Sequence, residues 1–167
     1  YIRFALEHIE MCKLAAQSDY INWEVKATTE SFNIPTVYHV HYHIRSIIGI
    51  DAEQNPIYGN HHILELTIPT RYPIEPFGIY MITDLWHPNI KWDGKYKGRI
   101  CANARDFGKS YMLSELVLRI GAILQYKNYL AEFVPPFPED AKVAEWVREV
   151  GEPRGIVDRD EGGRDPT

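Results

Sequence analysis

The residues with the clearest chemical potential lie between His87 and Cys101, in the run His-Pro-Asn-Ile-Lys-Trp-Asp-Gly-Lys-Tyr-Lys-Gly-Arg-Ile-Cys. The thiol of Cys101 is a nucleophile, and the side-chain amide of Asn89 can donate a hydrogen bond to an oxyanion. Pro88 and the glycines of this run predict a surface loop. The sequence has two cysteines and no C-x-x-C, and His87 lies far from Cys101, so the spacing of zinc ligands is absent. These residues therefore predict chemistry at sulfur, with no metal and no cofactor.

Three spaced motifs carry a resemblance to a known family. The order His-Pro-Asn, glycine-rich loop and Gly-x-Ile-Cys resembles the active-site signature of ubiquitin-conjugating enzymes. Upstream, residues 69–76 (Pro-Thr-Arg-Tyr-Pro-Ile-Glu-Pro) resemble that family's Pro-x-x-Tyr-Pro-x-x-Pro segment, for which the family implies a cis peptide at Tyr72-Pro73. Downstream come a leucine-rich helix, an Asn, a Val-Pro and a last helix in the family's order. The resemblance covers about residues 38–150.

The resemblance implies an α+β, UBC-like fold. An antiparallel β-meander would pack against an N-terminal helix, with a central helix after the active-site cysteine and a C-terminal helix. It also implies a transferase. Cys101 would accept a ubiquitin-like protein from a ubiquitin-activating-type enzyme as a thioester, and then transfer it to a lysine amine of a protein target.

The resemblance gives the other loop residues their expected roles. Asn89 is the expected oxyanion donor, although an Asn in a loop also commonly bonds nearby backbone, and the two roles can coexist. His87 is predicted to shape the loop through a ring–backbone hydrogen bond, and Pro88 to rigidify the approach to Asn89. The loop between Asn89 and Cys101 is a few residues longer than is usual in the family.

The residue that activates the incoming lysine departs from the family pattern. In the family an acidic residue after the leucine-rich helix has this role, and the matching stretch here offers only Glu132, slightly displaced. Glu132, Asn103 and Asp106 are the candidates, with a solvated surface carboxylate as the alternative for Glu132. This divergence resembles the bacterial relatives encoded in ubiquitin-like defence operons, which would imply a function in antiviral defence.

Length and composition restrict the function further. The chain has 167 residues, 45% of them hydrophobic, which predicts one domain with a core of its own. Its net charge of −5 argues against nucleic acid as a partner, because phosphate binding needs a basic face. No apolar run reaches membrane-spanning length, so no membrane partner is expected. Two cysteines suit a reducing compartment, and a cytoplasmic protein is predicted.

The periodicity of apolar residues predicts the elements that must position the loop. Residues 2–16 read as an amphipathic helix, with Leu6, Ile9 and Ala16 toward the core and Glu7, Glu10 and Lys13 toward solvent. Strands are predicted at 23–28, 38–45, around 64–68 and 79–83, a helix over 113–124, and a last helix that begins at Pro138. Residues 1–150 are predicted to form the UBC-like domain and residues 151–167 a flexible polar tail.

Three histidines, His39, His41 and His43, share the face of a strand opposite its apolar residues. They are expected to face solvent or a neighbouring strand, and a shared metal is the alternative.

Two other functions remain open at this point. The first is a catalytically inactive module of the same fold that binds a ubiquitin-like protein. Relatives of that kind typically lose the cysteine, whereas this chain keeps Cys101, Asn89 and His87 together. The second is a cysteine hydrolase, which is disfavoured because no histidine is placed by a known nucleophile motif.

Overall fold

A computed structural model describes residues 2–101, 112–127, 129–135 and 137–158. Its elements are α1 (Ile2–Gln17), β1 (Ile21–Thr28), β2 (Pro35–Tyr42), β3 (Ser46–Ile50), β4 (Pro56–Gly59), β5 (His62–Thr67), β6 (Gly78–Met81), α2 (Leu113–Leu124) and α3 (Ala141–Trp146), which continues as a π-helical turn over Val147–Gly151. The four strands β1-β2-β5-β6 form an antiparallel sheet in that order. The α+β arrangement predicted from the sequence is confirmed.

The core of the sheet follows the predicted alternation. Tyr38, Val40 and Tyr42 on β2 are fully buried, as are Leu64 and Leu66 on β5. Val40 pairs with Leu64 and Tyr38 with Leu66, so the two buried stripes lie side by side. Because side chains alternate across a strand, one face of the sheet is committed to the helices.

Strands β3 and β4 form a separate two-stranded sheet that was not predicted, since the sequence indicated only turns before β5. Their alternation is hidden for two reasons. The register shifts between Ile47 and Gly49. Ile57 and Tyr58 are both exposed apolar residues of the hairpin. Ile47 nevertheless joins a second apolar cluster with Trp86 and Trp146.

The predicted inward face of α1 is wrong. Leu6 and Ile9 are 48% and 49% exposed, whereas Glu7 is fully buried. Glu7 turns inward because its carboxylate accepts hydrogen bonds from the Tyr72 hydroxyl at 2.6 Å and from the Leu113 main-chain amide at 2.7 Å. This carboxylate therefore links α1, the proline-rich corner (residues 69–76) and the first residue of α2.

Helix α2 lies against the sheet at Gly121. A Cβ built on Gly121 would lie 3.3 Å from the Tyr42 ring. The Tyr42 hydroxyl donates to the Val117 carbonyl at 2.7 Å. The missing side chain thus allows the helix and the sheet to approach closely.

The last helix begins later than the sequence predicted. Helix α3 begins at Ala141 with Asp140 as its N-cap, so Pro138 precedes the helix instead of opening it. Asp140 fits the cap position because its carboxylate accepts from the Val143 amide. Within residues 151–158, which were expected in the flexible tail, Gly151 and Val157 are buried, whereas residues 153–155 and Asp158 are exposed. Residues 159–167 lie outside the described part of the chain.

The exposed face of the sheet carries the predicted histidine stripe. His39 lies 3.0 Å from a carboxylate oxygen of Glu65 on β5. Nδ1 of His41 lies 2.8 Å from Nε2 of His61. Within the described ranges, no group of three or more histidine, cysteine, aspartate or glutamate side chains is arranged to hold a metal ion. The same ranges contain no helix with both the length and the apolar character needed to cross a membrane.

The proline-rich corner connects β5 to β6, and its Tyr72-Pro73 peptide bond is cis, as the sequence motif implied.

Candidate active site

The His87 ring is built into the loop that leads to Cys101. It is fully buried, and its Nδ1 accepts a hydrogen bond from the Asn89 main-chain amide at 3.0 Å. Burial lowers the pKa of this imidazole to about 3, so the ring is neutral at neutral pH. With Nδ1 occupied by a donor, the ring's own proton lies on Nε2. His87 therefore has the geometry of a loop anchor and not that of a general base.

Asn89 lies at the centre of the site and is 3% exposed. Its side-chain Oδ1 accepts from the Leu130 amide at 2.9 Å, and its Nδ2 donates to the Leu130 carbonyl at 2.8 Å. Its own carbonyl accepts from the Cys101 amide at 2.9 Å. One residue thus joins the segment after α2 to the cysteine.

The longer loop does not separate Asn89 from Cys101, because the additional residues extend outward as a hairpin. Ile90 and Ile100 form an antiparallel bridge that closes its base. Gly98 adopts a φ of 85° and lies against Met81, where a Cβ would meet the Met81 carbonyl oxygen at 2.2 Å. A glycine is required here by both the conformation and the space.

The environment of Cys101 does not favour a thiolate. The side chain is half-buried. Burial and, next, the nearby Glu139 carboxylate raise the pKa of the Cys101 thiol, while Arg99 lowers it. Nε of Arg99 lies 2.6 Å from Oε1 of Glu139. The two members of this charged pair thus shift the pKa of the thiol in opposite directions, and its net direction is upward.

Glu139 is held in this position by its neighbour. The Asp140 amide donates to the Pro88 carbonyl at 3.0 Å. The Asp140 carboxylate accepts from the Trp92 amide at 2.9 Å, and Nζ of Lys91 lies 3.4 Å from it. These bonds attach the chain just before α3 to both sides of Asn89. Glu139 was not predicted as a site residue, because it follows Pro138, where the sequence predicts the start of the last helix.

Of the three residues predicted to activate the incoming lysine, Glu132 lies within the part of the chain that the structure describes. Glu132 is half-buried and lies two residues after Leu130, the residue bonded to Asn89. It is followed by Phe133 and Val134, which are 65% and 60% exposed. Asn103 and Asp106 lie outside the described residues. Glu132 therefore lies in the segment that Asn89 attaches to the loop before Cys101.

Comparisons with known sequences agree with the motifs. A family model described as ubiquitin-conjugating enzyme matches residues 16–140. Ubiquitin-conjugating enzyme E2 K from Homo sapiens is 36% identical over 89 residues, which cover 53% of this chain and 41% of the relative. Ubiquitin-conjugating enzyme E2 13 from Schizosaccharomyces pombe is 29% identical over 113 residues, which cover 66% of this chain and 69% of the relative. The chain thus spans about two fifths of the length of curated relatives such as E2 K.

Solved structures show the same fold. The E2 domain of a ubiquitin conjugating enzyme from Toxoplasma gondii matches with a TM-score of 0.58 and 24% identity, covering 87% of this chain and 86% of that one. A ubiquitin conjugating enzyme E2 from Plasmodium vivax matches with a TM-score of 0.51 and 24% identity, covering 73% of this chain and 98% of that one. At these identities the likeness establishes the architecture.

Proposed function

Because this chain belongs to the ubiquitin-conjugating enzyme family, we propose that it carries a ubiquitin-like protein as a thioester on Cys101 and transfers it to a lysine of a protein target. The observation that supports this most directly is the 2.9 Å hydrogen bond from the Cys101 amide to the Asn89 carbonyl. This bond holds the Cys101 nucleophile next to Asn89, whose side-chain amide is the oxyanion donor that the sequence predicts. The proposed partners are a ubiquitin-like protein, its activating enzyme and the target protein.

Loading exchanges one thioester for another. The sulfur of Cys101 attacks the carbonyl carbon of the thioester on the activating enzyme, the new C–S bond forms, and the old one breaks. The sulfur of the activating enzyme leaves as a thiolate. It takes up one proton in place of the proton that the Cys101 thiol loses. The pKa of Cys101 is raised by burial, and His87, buried and neutral, has no role as its base. The reaction relies on the activated thioester instead of a strong nucleophile.

Transfer follows when a lysine amine attacks the thioester on Cys101. The C–N bond forms, the C–S bond breaks, Cys101 leaves as a thiolate, and the amine loses a proton. The Asn89 amide has two N–H bonds, and the Leu130 carbonyl accepts from this nitrogen. The second N–H is the proposed donor to the oxyanion, a role that changes rates by about 10²–10³ when one such donor is removed. Anchoring and catalysis thus use different protons of one amide.

The lysine needs a group that orients it and accepts its proton. Glu132 remains a proposal for this role, together with Asn103 and Asp106. Glu139 joins them because it pairs with Arg99, which precedes Cys101 by two residues. A reducing compartment such as the cytoplasm fits a reaction that needs Cys101 as a thiol. A function in antiviral defence stays a prediction.

The decisive experiment is a charging assay. The protein is incubated with ubiquitin, a ubiquitin-activating enzyme and ATP, and the products are separated with and without reductant. An adduct that reductant removes supports the proposal. Binding of ubiquitin without such an adduct would favour the inactive binding module.

A further inference from the structure

Arg99, two residues before the reactive thiol of Cys101, forms an ion pair with the Glu139 carboxylate. Nε of Arg99 lies 2.6 Å from Oε1 of Glu139, and the Glu139 side chain is only 9% exposed. The Arg99 side chain is 45% exposed and its guanidinium also lies over the Tyr96 ring, 4.5 Å from the ring centre. The carboxylate is thus largely buried, while the guanidinium paired with it is about half exposed.

Both members of the pair are attached to the loop that carries Cys101. The Arg99 carbonyl accepts from the Lys91 amide at 2.9 Å, and its amide donates to the Tyr96 carbonyl at 3.0 Å. Arg99 precedes Cys101 by two positions in locally extended chain, which directs both side chains to the same side. Glu139 is fixed by the bonds of Asp140 to Pro88 and Trp92. The pair is thus a built feature of the site.

We propose that Arg99 is a charge gate, which occupies Glu139 in the resting protein and must be displaced by the ammonium group of an acceptor lysine before transfer. The inference rests on the proposed function. A lysine ammonium and a guanidinium are both cations that bind one carboxylate, so they compete for it. An ion pair with an exposed member is weak, which makes Arg99 displaceable without unfolding of the loop. After displacement Glu139 orients the amine and accepts its proton as the C–N bond forms and the C–S bond breaks.

The gate predicts a difference between charged and uncharged nucleophiles. The protein is first charged with ubiquitin to completion, so that differences in loading do not enter, and its discharge is then followed with free lysine or with hydroxylamine, which is uncharged at neutral pH. Arg99→Ala should raise the ratio of the second-order rate constants for lysine and hydroxylamine about fivefold, on the order of a weak ion pair, because any effect on the Cys101 leaving group is common to both nucleophiles. Arg99→Lys should restore the low rate for lysine, because it restores a competing cation.

Two further variants separate the gate from a general effect of charge. Lys95→Ala removes the same charge from the same loop and should leave both rates unchanged. In the Glu139→Gln protein, Arg99→Ala should no longer accelerate lysine discharge. Equal acceleration of lysine and hydroxylamine, acceleration by Lys95→Ala, or acceleration that persists in the Glu139→Gln protein would each overturn the gate.

Failure of the gate is distinguishable from failure of the proposed function. If the unmodified protein forms no reducible adduct with ubiquitin, the conjugating function fails. The pair beside the sulfur is then tested through the pH dependence of Cys101 alkylation by iodoacetamide in a Cys12→Ser background. Arg99→Ala should shift the alkylation midpoint to higher pH and Glu139→Gln to lower pH. Two unshifted midpoints would show that the pair does not face the thiol, and the gate would be abandoned.

Discussion

Asn89 holds the main chain of Leu130 with both ends of its side-chain amide, at 2.9 Å to the Leu130 nitrogen and 2.8 Å to its oxygen. This pairing imitates one step of a β-ladder and attaches the segment after α2 to the loop before Cys101. The residue that the sequence predicts as an oxyanion donor is therefore also a structural clamp. Its removal must affect stability as well as transfer.

Replacing Asn89 with alanine should have two separable effects. Loss of both hydrogen bonds leaves the Leu130 amide and carbonyl without these partners, so the free energy of unfolding should fall by about 1–3 kcal/mol. Discharge of the charged protein onto lysine should slow by about 10²-fold because the oxyanion loses a donor. Chemical denaturation and single-turnover discharge measure the two effects. A fall in stability with an unchanged discharge rate would leave Asn89 only its structural role.

The two cysteines should differ completely in charging. Cys12 lies exposed on α1, with its sulfur 3.7 Å from Nε2 of His8, whereas Cys101 lies half-buried beside Asn89. Cys12→Ser should leave the reducible adduct intact. Cys101→Ser should form at most an oxyester, which resists reductant. Gel analysis of both variants checks this, and an adduct that survives Cys101→Ala would assign the acyl group to another residue.

The buried His87 ring predicts a pH dependence of stability. Its pKa is lowered to about 3 in the folded protein, against an ordinary value of about 6.5 in the unfolded chain. Below about pH 6.5 the unfolded state therefore binds a proton that the folded state does not, and stability is lost as pH falls toward about 3. His87→Gln keeps an oxygen acceptor for the Asn89 amide and removes the titration. Its Tm should fall less than that of the unmodified protein between about pH 7 and about pH 4. Parallel Tm curves would contradict the lowered pKa.

The buried Glu7 carboxylate should contribute strongly to stability. It accepts from Tyr72 and Leu113 and pairs with Arg3 at 3.0 Å. Glu7→Ala removes these bonds and leaves the Leu113 amide unsatisfied, so unfolding should become easier by about 3 kcal/mol. Glu10→Ala, one turn away and paired only at the surface with Lys13, should change stability by less than about 0.5 kcal/mol. Equal effects of the two substitutions would show that Glu7 is not the link between α1 and α2.

The comparison of Glu7 with β2 shows where sequence patterns succeed and where they do not. The alternation of Tyr38, Val40 and Tyr42 predicts a half-buried strand because burial there follows hydrophobicity. On α1, a charged residue is buried and two aliphatic residues are exposed, since the partners of Glu7 lie 65 and 106 residues away. No local pattern contains that information.

The candidate site likewise contains residues that the sequence predicts and contacts that it does not. Cys101, Asn89 and His87 are recognisable because their types and order lie within one loop. The contacts that position them are long-range: Asn89 meets Leu130 across 41 residues, and Arg99 meets Glu139 across 40. The sequence places Glu139 only at the start of a helix, and its pairing with Arg99 is visible only in three dimensions.

The last prediction concerns which carboxylate assists the lysine. A free lysine amine titrates near about 10.4, so at about pH 7 only one molecule in roughly 10³ is nucleophilic, and at about pH 9 the fraction is about a hundredfold larger. A carboxylate that orients the amine and accepts its proton should therefore matter more at the lower pH. Glu139 pairs with Arg99, two residues before Cys101, whereas Glu132 lies two residues after Leu130, the partner of Asn89.

Glu139→Gln should accordingly leave Cys101 charging in place but slow discharge onto lysine, and slow it more at about pH 7 than at about pH 9. Glu132→Ala, measured in parallel, should show the same pH-dependent loss only if Glu132 is the carboxylate that accepts the lysine proton. Single-turnover discharge at the two pH values compares them directly. If neither variant slows lysine discharge at either pH, both carboxylates leave the mechanism, and Asn103, Asp106 or a partner protein must complete the site.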